Sequence, residues 1–177
     1  MIITWITIAV CVVCSIVMNR SPYPLDQAVK FGALLPLRVK RGEYWRLITA
    51  GFLHLQVGHL LMNMYSLYNL GDLEYVFGSL RYAVILLVSV IGGNVLATWL
   101  SRDDRTVSLG ISGGLYGLLA AYMVLLFKLG LLNSPSIRGS LIRTLIVNLL
   151  INLMPNVSRQ AHAGGFIAGF VLAMLMI

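Results

Sequence analysis

Successive apolar segments, with most of the Arg and Lys confined to the loops between them, constrain this chain more than any single motif. They run from about Ile2 to Met18, His54 to Leu70, Tyr82 to Leu100, Ile111 or Ser112 to Lys128, Leu141 to Met154, and Ala161 to Ile177. In hydrocarbon every backbone N–H and C=O must find a partner inside the protein, so such segments are expected as helices. The composition agrees: 59% hydrophobic and 11% charged, where soluble domains average about 25% charged. The expectation is an all-α membrane protein, a single six-helix transmembrane bundle over residues 1–177. The formal net charge of +7 raises the question of nucleic acid. Basic residues in short loops between membrane segments point instead to lipid headgroups, and no nucleic-acid partner is expected.

The first segment has no positively charged lead and no small-residue cleavage site before Arg20, so it reads as a first membrane helix rather than a removable leader. Cys11 and Cys14 lie inside it and are expected as small packing residues. The first loop, Asn19 to about Leu53, is long, and Pro22, Pro24 and Pro36 break any long helix in it. Its Glu43-x-Trp45-Arg46 suits a membrane interface, with Trp at headgroup depth and Arg toward phosphate. Gly71, Asp72, Glu74 and Gly78 are expected to form a short turn after the second segment. The fifth segment, with Arg143, Asn148 and Asn152, is the weakest span; at roughly 1.5 Å per residue it barely crosses about 30 Å.

Chemistry concentrates at Gly110-Ile111-Ser112-Gly113-Gly114-Leu115-Tyr116-Gly117. Gly110-x-Ser112-x-Gly114 matches the nucleophile elbow of α/β-hydrolases letter for letter. That elbow needs a preceding strand, whereas a short charged loop, Ser101 to Arg105, comes before this one. The plainer reading is a glycine-rich membrane helix whose serine bonds backbone. A serine is a poor nucleophile without a neighbouring base, so the histidines decide. The chain has three: His54, His59 and His162. His59 and Asn63 are four apart and share a helix face. Spacings between the histidines do not fit a zinc site, and no metal or other cofactor is expected.

Alternating spans put the starts of helices two, four and six on one side of the membrane. His54, His59 and Asn63 lie early in the second, Ser112 opens the fourth and His162 opens the sixth. Packing residues scattered at random have no reason to obey that parity. In addition, Gly113-x-x-x-Gly117 and Gly165-x-x-x-Gly169 each form a small-residue groove of the kind that lets membrane helices approach closely. Packing through these grooves would bring Ser112 and His162 within hydrogen-bond reach.

On three motifs the chain resembles the rhomboid intramembrane serine proteases in their six-span prokaryotic form. They are Trp45-Arg46 followed by His54-x4-His59-x3-Asn63; Gly110-x-Ser112-Gly113-x-x-Tyr116-Gly117; and Ala161-His162-x-x-Gly165-x-x-x-Gly169. The resemblance implies Ser112 as nucleophile and His162 as general base. It implies an oxyanion hole from His59, Asn63 and the Ser112 backbone N–H, with Tyr116 packed on the His162 ring. It gives His54 a supporting role beside His59, Glu74 a role in tying down the turn after helix two, and Trp45-Arg46 a role in anchoring the first loop. It further implies single-span membrane proteins as substrates, in a bacterial cell membrane, cut within or beside their helix after local unwinding. No acidic residue is expected to complete a triad; the His162 ring is expected to be oriented by Tyr116 and backbone groups.

Loop charges run against the orientation implied by the resemblance, which places the active-site face outside the cytoplasm. Arg20, Lys30, Arg38, Lys40, Arg41, Arg46, Arg102, Arg105 and Arg159 lie on that face, and only Arg81, Lys128, Arg138 and Arg143 on the other. The positive-inside rule would invert this. Two further function classes stay open from the sequence: a rhomboid-like protein that binds membrane clients without cutting them, and a small transporter or channel lined by Asn and His. Oligomeric state is not legible.

Overall fold

The computed structural model describes residues 1–153 and 157–177. Met154 and Pro155, where the fifth segment was expected to end and a loop to begin, lie outside the described residues. Among the described residues there is no β-strand; one isolated antiparallel bridge joins Leu34 to Ser108. The helices are α1 (Ile2–Asn19), α2 (Pro24–Phe31), α3 (Pro36–Val39), α4 (Arg46–Thr49), α5 (Val57–Asn69), α6 (Asp72–Phe77), α7 (Ser79–Trp99), α8 (Ser112–Lys128), α9 (Pro135–Asn152) and α10 (Arg159–Met176). Two of these, α1 and α7, are long and apolar enough to cross a membrane; α8 is a shorter apolar helix.

Several boundaries differ from the sequence reading for local reasons. Pro24 and Pro36 start helices α2 and α3 rather than only breaking them, because the first helical N–H has no intrahelical partner to lose. Pro135 does the same for α9, which begins six residues earlier than expected and reaches 18 residues. The expected turn after the second segment is helical: Asp72 and Glu74 sit in the first turn of α6, where carboxylates face the positive end of the helix dipole. His54 precedes α5 instead of lying on it.

The pattern of exposure is inverted relative to a water-soluble fold. On α1 the buried face is Thr4, Thr7, Cys11, Ser15 and Met18, while Trp5, Ile6, Val13, Ile16 and Val17 face outward. On α9 the outward residues include Ile142, Ile146, Val147 and Leu150. Apolar patches this extensive need an apolar surrounding.

Inside, α7, α8 and α10 meet backbone to backbone. A methyl group on Gly93 of α7 would come within 2.5 Å of the Ala161 carbonyl oxygen, and one on Gly164 of α10 within 2.5 Å of the Gly92 carbonyl. A methyl on Gly165 would overlap the Gly113 carbonyl, and one on Gly169 the Gly117 carbonyl. The two grooves expected on α8 and α10 therefore face each other, and the Gly92-Gly93 pair of α7 adds a third small surface that the motif reading missed. Lipid tails are as apolar as the side chains they would replace, so close van der Waals fit of this kind holds such helices together.

Two charged residues lock the ends of the bundle. Glu74 accepts hydrogen bonds from the Ile3 and Thr4 backbone N–H groups, both at 3.0 Å, from the Thr4 hydroxyl at 2.9 Å and from the Ser79 hydroxyl at 2.7 Å. It thus caps α1, whose first N–H groups lack intrahelical partners, and ties α1 to the start of α7. Burial alone would raise its carboxyl pKa; the four donors outweigh that and hold it at about 2, below the ordinary 4.5. A depressed folded-state pKa stabilises the fold above about 4.5 and loses that contribution as pH falls toward 2. The melting temperature of the purified protein should accordingly fall across this window, and Glu74→Gln should be less stable above it and show a flatter profile through it. An unchanged profile in Glu74→Gln would remove this role.

Arg46 corrects the expected interfacial anchor. It is 1% exposed. Its Nε donates to Glu43 at 2.6 Å and one terminal nitrogen donates to the carbonyls of Val29, at 2.7 Å, and Ala33, at 3.0 Å. Its guanidinium also lies 4.6 Å from the centre of the Trp45 ring. The fork-shaped, five-donor head organises the first loop from within instead of reaching for phosphate.

Candidate active site

Ser112 is the first residue of α8, and the segment before it is held by the first loop. Leu34 and Ser108 exchange two backbone hydrogen bonds of 2.9 Å, the Leu37 N–H donates to the Asp104 carbonyl, and the Gly110 N–H donates to the Ala50 carbonyl. Lys40 pairs with the Asp104 carboxylate at 2.7 Å. Gly110 has φ of +118°, a conformation in which L side chains are strained. A side chain there would also strike the His59 ring, 2.7 Å from Cε1, and approach the Asn63 amide nitrogen at 3.5 Å. The backbone entering α8 thus passes directly against the two residues expected to form the oxyanion hole. No side chain caps the N-terminus of α8, which leaves the N–H groups of its first turn available to an anion.

His162 stands in the first turn of α10, where the Ser158 hydroxyl accepts from the Ala161 N–H at 3.3 Å. Its Nε2 lies 2.9 Å from the Ser112 hydroxyl oxygen. The Tyr116 ring, one turn along α8 from Ser112, stacks on the imidazole with centroids 4.1 Å apart and 16° between planes. Gly113 permits this meeting: a side chain on it would be 3.2 Å from the Ala161 carbonyl.

His54, though off the helix, is 1% exposed and touches both α5 residues. Its Nε2 is 2.9 Å from the Asn63 amide nitrogen and its ring meets that of His59 edge-on at 5.1 Å. The Asn63 amide carries two hydrogens, and His54 engages one of them. Trp45 and Arg46 are not part of this cluster; they shape the loop that supports it.

Sequence reasoning missed Asn152. Its side-chain oxygen is 2.7 Å from His162 Nδ1. The His162 ring is therefore not oriented by Tyr116 and backbone groups alone, as expected, but by a side chain of α9. A signal existed: Asn148 and Asn152 are four apart in an apolar segment, and polar groups sharing one face of such a helix turn inward.

Residues 41–177 match the family model described as Rhomboid domain. "RHOMBOID-like protein 5" of Arabidopsis thaliana is 36% identical over 151 residues, covering 84% of this chain and 49% of that protein. "RHOMBOID-like protein 6, mitochondrial" of the same plant is 36% identical over 152 residues, covering 84% and 49%. "Rhomboid protease GluP" of Bacillus subtilis (strain 168) is 29% identical over 158 residues, covering 88% and 31%. The chain thus spans about half the length, or less, of these curated relatives. With a domain match across most of its length, and with the serine, histidine and glycine motifs meeting as described, the chain belongs to the rhomboid family of integral membrane proteins.

Proposed function

We propose that this chain is an intramembrane serine endopeptidase that cuts single-span membrane proteins within or beside their membrane helix. Members of the family are generally intramembrane serine proteases, and the observation that carries the reading here is the 2.9 Å contact between the Ser112 hydroxyl and His162 Nε2. In this reading α1, α5, α7, α8, α9 and α10 are the six spans.

The chemistry follows from the geometry. The Ser112 oxygen attacks the scissile carbonyl carbon while its proton passes to His162 Nε2. The developing oxyanion is met by the Ser112 N–H, His59 and the second amide hydrogen of Asn63. The imidazolium then returns its proton to the departing amine, and His162 next activates a water that hydrolyses the acyl-enzyme. Unwinding of the substrate helix is required, since an intact helix hides its carbonyls.

The active-site face is proposed to lie outside the cytoplasm of a bacterial cell. Among the cations on this face, Arg46 pairs with Glu43, Lys40 pairs with Asp104 at the surface, and the Arg159 Nε donates to the Asn152 carbonyl at 2.9 Å. The first loop, which carries most of the excess, is folded into α2, α3 and α4 against α1 and α7 and so is not a plain topogenic loop.

The test is cleavage of a single-span reporter in liposomes together with labelling by a fluorophosphonate. Labelling of the wild type that disappears in Ser112→Ala supports the protease; absence of labelling supports a client-binding protein or a transporter. For the oxyanion hole, Asn63→Ala should lower turnover about 10²–10³-fold, as loss of one donor does in soluble serine proteases. Combined replacement of His59 and Asn63 should be worse than either alone. Wild-type turnover in the double variant would make both residues packing only.

A further inference from the structure

We infer that Asn152 is a positioning residue that fixes the tautomer and the plane of the His162 imidazole, completing a Ser112–His162–Asn152 relay; this rests on the proposed protease reading. The orientation of its amide follows from its partners. The Asn152 nitrogen donates to the Tyr116 hydroxyl oxygen at 2.6 Å and to the Asn148 carbonyl at 2.9 Å. The Tyr116 hydroxyl in turn donates its own hydrogen to the Asn148 carbonyl at 3.0 Å, so it can only accept from Asn152. Both amide hydrogens are thereby committed, and the amide oxygen is the atom left to face His162 Nδ1 at 2.7 Å.

An oxygen there is an acceptor only, so Nδ1 must carry the ring hydrogen. The lone pair of a neutral imidazole then lies on Nε2, the nitrogen facing the Ser112 hydroxyl. This is the tautomer that general-base catalysis needs. In a soluble Ser-His-Asp enzyme, asparagine in place of the aspartate selects the wrong tautomer and costs about 10⁴-fold. Here the two acceptors on the nitrogen side of the amide prevent that. A neutral amide also avoids the cost of burying a carboxylate beside the ring. The stacked Tyr116 therefore acts twice, through its ring on the imidazole and through its hydroxyl on the residue that orients it.

Asn152 is the last residue of α9, and its backbone carbonyl is held by Arg159 at the first position of α10. The relay thus depends on the ends of α9 and α10 being fastened together.

The experiment compares wild type, Asn152→Leu and Asn152→Asp in steady-state cleavage of the liposome reporter, with Ser112→Ala alongside. Asn152→Leu removes the acceptor at similar volume and should lower kcat by about 10²-fold while KM stays within about threefold, the scale of losing a partner that orients a functional imidazole. Asn152→Asp keeps an acceptor at the same atom, the Tyr116 hydroxyl turning its one hydrogen from the Asn148 carbonyl to the second Asp oxygen, and should recover at least about tenfold of that loss. Asn152→Leu within about threefold of wild type would overturn the inference. So would an equal loss in the Leu and Asp variants, or a loss confined to KM, each of which is the mark of α9 packing. If Asn152→Leu shows no cooperative melting transition, Asn152→Ala is judged by the same criteria. Undiminished cleavage in Ser112→Ala would instead defeat the protease reading itself.

Discussion

Ser112→Ala and His162→Ala should each abolish cleavage of the reporter, by about 10⁴-fold or more, while the protein still folds. Nucleophile and base act as a unit in serine hydrolases, where removing either alone costs nearly as much as removing both. The double variant should for that reason be no worse than either single one. At about 1.36 kcal/mol per tenfold, a 10⁴-fold loss corresponds to about 5 kcal/mol of transition-state stabilisation. Folding should persist because, although His162 also meets Asn152 and Tyr116, the surrounding helices are held by glycine contacts that neither side chain makes. The check is turnover together with the melting temperature. Residual cleavage within about tenfold of wild type in either variant would defeat the dyad.

Gly165→Val and Gly169→Val should also be severe, although neither residue does chemistry. The first added carbon of each would overlap a carbonyl of α8, that of Gly113 or that of Gly117. A backbone carbonyl cannot rotate away as a flexible side chain can, so the two helices must separate. Gly113 is the residue after Ser112, and Gly165 lies three residues beyond His162. Separation at this level acts directly on the 2.9 Å contact. A misplacement of about 1 Å can cost about 10²-fold; the double variant, displaced at two successive turns, should lose about 10³-fold or more. Gly139→Val is the control, because the first added carbon there would meet the Arg143 guanidinium at an ordinary 3.6 Å and no backbone carbonyl. Full activity in both groove variants would detach the glycines from catalysis.

The meeting of Ser112 and His162 is legible in the sequence because the alternation expected of successive apolar segments is arithmetic: groups that open every second segment would share a face. The grooves are legible because small residues four apart have few other uses in lipid. What escapes has a common cause, namely partners defined by atoms rather than by spacing. Asn152 reads as one more polar residue in a weak segment until its neighbours fix which end of its amide faces the ring. Arg46 reads as an interfacial cation because sequence cannot show that the Val29 and Ala33 carbonyls point inward at it. The helical character of Asp72–Phe77 is hidden by its glycine neighbours, and the early start of α9 by polar residues that hydrogen-bond as well in a helix as in a loop.

The separation of 50 residues between Ser112 and His162 has a consequence for how such a chain comes into being. Synthesis at about 5–20 residues per second delivers the hydroxyl about 3–10 s before the imidazole. Throughout that interval the nascent protein holds Ser112 without His162, the base proposed for it, so half-inserted helices beside it face no cutting edge. Arrival of α10 supplies the imidazole and closes the glycine seam with α8 in one movement. The enzyme proposed here is thus armed by the same event that completes its core, and a chain stalled short of α10 is inert by construction.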